Sequence, residues 1–128
     1  MAVVFYKVTC PVCQMSAPKF ARLQQAYPGR VAGVGEDPPE KLSAFKDRFG
    51  LGFESVEDAS PYPVSDAYGV EVVPTTFLVD DGGVVQDVVE SWDRDGLNRL
   101  SAGLAQMAGA DPVTISEADD GLPSFRPG

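Results

Sequence analysis

Two short apolar runs separated by one helix-length segment constrain this chain more than any other feature. Val3-Val4-Phe5-Tyr6 is continuous rather than alternating and rich in β-branched and aromatic residues, the pattern of a strand covered on both faces. Arg30-Val31-Ala32-Gly33-Val34-Gly35 is a second such strand. Between them, Pro11 to about Ala26 reads as a helix. Its proline stands at the first position, where a missing N–H costs nothing, and Pro28-Gly29 closes it. Cys13, Ala17, Phe20 and Gln24, with Ala21 and Tyr27, mark the inward stripe, and Pro18 should kink the helix. A β-α-β unit crosses over right-handed, which makes the strands parallel and puts helices on the sheet faces.

The rest of the order follows from local signals. Asp37-Pro38-Pro39-Glu40 predicts a helix start with Asp37 as N-cap, and Gly50 its stop. Phe53 to Val56 fits a short edge strand, and Pro63 to Tyr68 one or two helical turns. Val72 to Val79 and Val84 to Val89 form two strands joined by the turn signal Asp81-Gly82-Gly83. Asp93 can cap a last helix that carries Leu97, Leu100, Leu104 and Met107 inward. The expected fold class is α/β, a three-layer sandwich with a mixed sheet of four or five strands. Residues 1–108 make the domain, with an insertion about 50–68. Residues 109–128 form an acidic tail containing Pro and Gly, expected to be loosely attached.

Composition removes whole classes of chemistry. With no histidine among 128 residues, the chain has no Ser/His or Cys/His pair, no histidine base and no histidine metal ligand. A formal charge of −9 repels phosphate backbones, so no nucleic-acid partner is expected. No run approaches the ~20 apolar residues of a spanning helix, so no membrane insertion is expected. Two cysteines, Cys10 and Cys13, are too few for a disulfide framework or a four-ligand zinc site. No metal and no cofactor are called for.

Those cysteines carry the chemistry. Cys10-Pro11-Val12-Cys13 sits where the first strand meets the first helix. Cys10 falls at the helix N-terminus, where unpaired N–H groups and the positive end of the dipole favour a thiolate. Cys13 lies one turn inside on the same face, shielded but able to reach Cys10. Cys10 is therefore the nucleophile and Cys13 the resolving thiol. Lys7 stands close in sequence and is a candidate for lowering the Cys10 pKa, although a lysine at a strand end is more often a solvated charge. Two cysteines three apart can also be inert packing residues.

The strand–C-x-x-C–helix unit, Pro18 five residues after Cys13, and Val73-Pro74-Thr75-Thr76 resemble a thioredoxin-fold thiol–disulfide oxidoreductase. Tyr68-Gly69-Val70, Pro74-Thr75-Thr76-Phe77-Leu78-Val79-Asp80 and Gly83 resemble its TlpA-like and redoxin (AhpC/TSA-type) branch, over about residues 3–107. The resemblance implies that Pro74 is a cis-proline facing the dithiol. It implies that Val73 offers backbone groups to an extended substrate, with Thr75, Pro11 and Val12 completing the substrate surface. Three departures stand out. The buried Asp usual in thioredoxins six residues before the attacking cysteine is Val4 here. The Glu usual in TlpA-like reductases three residues after the resolving cysteine is Ser16. The Trp common just before the first cysteine is Thr9.

The expected function is reduction or exchange of disulfides in proteins or small thiols, with an external dithiol as reductant and a monomer or weak dimer as the working form. Absence of a visible targeting segment predicts a cytoplasmic protein. One alternative is a redoxin-type thiol peroxidase, whose Pro-x-x-x-Thr/Ser-x-x-Cys signature is not matched: counting back gives Lys7 and Val3 from Cys10, and Cys10 and Tyr6 from Cys13. Another is a non-catalytic peptide-binding module that uses the groove at Pro74.

Overall fold

Backbone pairing places the opening strand in the middle of the sheet. In the computed structural model, which describes residues 1–128, β1 (Ala2–Tyr6) pairs in parallel with β2 (Val31–Gly35) and antiparallel with β4 (Thr75–Val79). β3 (Ser55–Glu57) adds a parallel edge beyond β2, and β5 (Val85–Glu90) an antiparallel edge beyond β4. The five-stranded order is β3-β2-β1-β4-β5. A two-stranded sheet follows, β6 (Trp92–Asp93) with β7 (Phe125–Arg126). The helices are α1 (Pro11–Ala26), α2 (Pro39–Phe49), α3 (Pro63–Ala67) and α4 (Arg94–Ala108). This is the thioredoxin-like architecture.

Strand periodicity divides the core. Ala2, Val4 and Tyr6 point to one face, where Phe20 and Leu23 of α1, Phe45 of α2, and Leu97, Leu100 and Leu104 of α4 join them in a cluster of 23 buried residues. Phe5 points the other way and packs with Val34 and Phe77, flanked by Val64 of α3 and by Val70. The second helical layer is thus a single short helix. On β2, side chains at Gly33 and Gly35 would collide with Ser55, Phe53 and Leu42 as these now stand, so glycine lets them pack close against the sheet.

Local signals hold at α1 and α4 and fail at the start of α2. α1 runs from Pro11 to Ala26 with Pro18 inside it. Asp93 caps α4, accepting the Gly96 N–H at 3.1 Å. Asp37 does not cap α2; Pro38 holds that position with no side-chain bond. The Asp37 carboxylate instead accepts the Val8 N–H at 2.8 Å, a donor on the loop leading to Cys10. Tertiary partnership overrides the local capping signal.

The tail is not loosely attached. Ile115 is fully buried. Ile115 and Ser116 N–H donate to the Asn98 side chain, and Val113 N–H donates to the Tyr27 hydroxyl. Asp120 accepts from Arg94 and Lys19, each at 3.0 Å, and from the Ser116 hydroxyl at 2.5 Å. The Trp92 indole N–H donates to the Pro123 carbonyl at 2.6 Å. Composition alone does not reveal this attachment, because the partners lie on or beside α1, β6 and α4, outside the tail itself.

Candidate active site

Cys10 is the N-cap residue of α1, in extended backbone conformation at φ −76° and ψ 118°. Its Sγ accepts the Cys13 N–H at 3.1 Å, so one orphan donor of the first helical turn is directed at the sulfur. Such a bond supports negative charge on the sulfur. Both cysteines are free thiols; Cys10 is half-buried and Cys13 buried. Burial, and then the neighbouring Cys10 sulfur, push the Cys13 thiol far above the ordinary thiol range. The Glu36 charge acts in the same direction. The two sulfurs are therefore chemically unequal: one presented at a helix end, the other a buried, protonated thiol.

The loop before Cys10 is held on two sides. Val8 N–H is bonded to Asp37, and its carbonyl accepts from the Gln14 side chain at 2.8 Å. Cys10 N–H closes the turn onto the Lys7 carbonyl at 3.2 Å. Neither Asp37 nor Gln14 carries a sequence signal for this role, because both act through tertiary contact.

Opposite the dithiol lies the loop before β4. The Val73–Pro74 peptide bond is cis, as is Ser60–Pro61. The Cys10 thiol donates to the Val73 carbonyl at 3.4 Å, which brings together residues 63 positions apart. Thr75 is buried and its hydroxyl donates to the Val72 carbonyl at 2.6 Å, so it shapes this loop. Pro11 is exposed beside the dithiol, while Val12 is buried in the core. Ser16 is fully buried and donates to the Val12 carbonyl at 2.6 Å.

Lys7 places its ammonium 5.8 Å from the Tyr62 ring centroid and lines a cavity of about 330 Å³ with Glu36 and Asp37. Its backbone carbonyl meets the dithiol loop, whereas its ammonium lies over the aromatic ring. Neither cysteine lines a cavity; Cys10 is half-buried beside the exposed Pro11, and Cys13 is buried behind it. No group of three or more Cys, Asp or Glu side chains is arranged to hold a metal ion. No helix is long and apolar enough to cross a membrane.

Over residues 1–88 the sequence matches the AhpC/TSA family. This chain belongs to the AhpC/TSA family. Thiol-disulfide oxidoreductase ResA of Halalkalibacterium halodurans is 33% identical over 101 residues, covering 69% of this AhpC/TSA chain and 57% of that protein. ResA of Geobacillus thermodenitrificans is 34% identical over 90 residues, covering 66% and 51%. The chain spans about half the length of these curated relatives. Among solved structures, a thiol-disulfide isomerase from Corynebacterium glutamicum superposes with a TM-score of 0.71 at 21% identity, covering 86% of this chain and 80% of that one. MTB DsbF superposes with a TM-score of 0.69 at 27% identity, covering 80% and 78%. These likenesses agree with the fold read from strand pairing.

Proposed function

We propose that this AhpC/TSA-family chain is a thiol–disulfide oxidoreductase in which Cys10 attacks and Cys13 resolves. The observation that carries the reading is the Cys13 N–H bonded to Cys10 Sγ at the start of α1, opposite the cis Val73–Pro74 bond. The names of the ResA relatives support it.

In the forward direction the Cys10 thiolate attacks one sulfur of a substrate disulfide RSSR′. The Cys10–SR bond forms, the substrate S–S bond breaks, and R′S⁻ leaves and takes a proton. Cys13 then attacks Cys10 Sγ, the Cys10–Cys13 disulfide forms, and RS⁻ departs with the proton that Cys13 gives up. The substrate gains two electrons and the pair loses two, which an external dithiol returns. Once the thiolate has reacted, the mixed disulfide leaves no negative charge on Cys10 to oppose ionisation of Cys13 beside it. A half-buried Cys10 beside the exposed Pro11 suits disulfides presented by proteins or small thiols. The buried Ser16 hydroxyl already donates its proton to the Val12 carbonyl, so it is not free to relay the Cys13 proton in this arrangement.

The test is turnover of insulin disulfides with dithiothreitol, and of hydrogen peroxide, by the wild-type chain and by Cys10→Ser and Cys13→Ser. Disulfide reduction lost in Cys10→Ser, with a mixed disulfide trapped in Cys13→Ser, supports the proposal. Peroxide turnover without disulfide turnover would replace it with a thiol peroxidase. Inactivity toward both, with peptide binding retained, would replace it with a binding module.

A further inference from the structure

The last residues of the tail return to the dithiol. Phe125 and Arg126 pair antiparallel with Asp93 and Trp92, and Arg94 N–H donates to the Ser124 carbonyl at 3.0 Å. From this short ribbon the segment makes three further contacts. The Arg126 guanidinium reaches Met15 Sδ at 3.7 Å, two residues beyond Cys13 on α1. Gly128 N–H donates to Ser91 Oγ at 3.0 Å, in the turn between β5 and β6. Gly128 also lies so near the cis-proline loop that a Cβ on it would collide with the Val73 carbonyl oxygen. That oxygen is the one Cys10 Sγ faces. The segment therefore touches α1, the β5–β6 turn and the Val73–Pro74 loop, and lies extended beside the carbonyl that an incoming polypeptide would use.

We propose that residues 124–128 form a strap over the substrate groove, which makes the site selective for small disulfides over disulfides embedded in extended polypeptide. The inference rests on the dithiol reading above. A polypeptide needs room for its backbone along Val73 and must first displace the strap. Its apparent efficiency is then scaled by the fraction of molecules in which the strap is open. A small disulfide needs only the Cys10 side chain, and that residue is half-buried rather than buried. The strap is held by few contacts and its side chains are exposed, so it can lift without disturbing Ile115 or the Asp120 cluster beneath.

The experiment compares kcat/KM for insulin and for 2-hydroxyethyl disulfide in the full chain, in Gly128→Val, and in a variant ending at Ser124. Gly128→Val pushes the strap off Val73 by steric conflict while keeping the whole chain. Insulin efficiency is expected to rise about fivefold or more in both variants while the small disulfide stays within about twofold. Equal changes for the two substrates, or no change in Gly128→Val, would overturn the strap. If the shortened variant loses its circular dichroism signal, Gly128→Val alone decides. Turnover of neither substrate by the full chain would instead defeat the dithiol reading, and the strap with it.

Discussion

Cys13 shows how one residue links burial, reactivity and stability. Its thiol is held protonated in the folded chain by burial first, while in the unfolded chain it ionises near the ordinary value of 9.0. The folded state thus binds the proton more tightly. The associated stability is complete below about pH 9 and is lost as pH rises above it, because the unfolded form ionises first. The reduced protein is expected to lose denaturation midpoint between pH 8 and roughly pH 10, and Cys13→Ala to lose less. Urea titrations of both at several pH values check this. Iodoacetamide should label Cys10 more than about tenfold faster than Cys13 in the native chain, and both alike in denaturant. Mass mapping of the labelled peptides reads the ratio. Asp37 acts on the same loop by geometry. Asp37→Ala leaves Val8 N–H without its acceptor and is expected to cost about 1–3 kcal/mol of stability, measured by urea unfolding.

Elements differ in how openly the sequence announces them. α1 was legible at both ends because Pro11 and Pro28-Gly29 bracket a clear periodic stripe. The dithiol and the proline of the opposing loop were legible because each depends on residue type at short spacing. Asp37 carries a local capping signal, but its carboxylate meets the distant Val8 N–H instead of the helix beside it, a contact no local pattern encodes. The tail's attachment is hidden in its polar composition because its anchors, Trp92, Arg94 and Asn98, belong to β6 and α4. The attachment is testable through acid. Asp120 is held well below the usual carboxylate range by the Ser116 hydroxyl first, then by Leu122 N–H, with Lys19 and Arg94 adding to it. A lowered folded pKa stabilises above the unfolded value of 3.8 and loses that contribution as pH falls below it. Trp92 is the sole tryptophan and grips Pro123, so its emission should shift red below about pH 4. Asp120→Asn, which cannot ionise, is expected to show the red-shifted emission already at neutral pH and to lose that transition; a transition retained in the variant would exclude Asp120 as its origin.

At the scale of the whole molecule, charge is the dominant long-range property. Nineteen acidic against ten basic residues give −9, and four of the cations meet three carboxylates locally: Lys19 and Arg94 share Asp120, Lys46 meets Glu54 and Arg99 meets Asp87. The remaining field steers cations toward the surface and repels anions, within a screening length of about 8 Å at physiological salt. Two disulfide peptides alike except for charge should therefore diverge. Lowering salt from about 150 to about 15 mM is expected to raise kcat/KM for the cationic peptide by about threefold or more and to lower it for the anionic one. Stopped-flow rates across a salt series decide it.

The missing side chains of β2 set a limit on how this molecule can vary. At Gly35 even a methyl group would strike Leu42 of α2, and at Gly33 it would strike Ser55 and Phe53. Mutational drift can exchange many apolar residues of the core for others of similar volume. Along this strip any added side chain must first turn aside Leu42 at Gly35, or Ser55 and Phe53 at Gly33, so a change in β2 is coupled to its neighbours in α2 and β3.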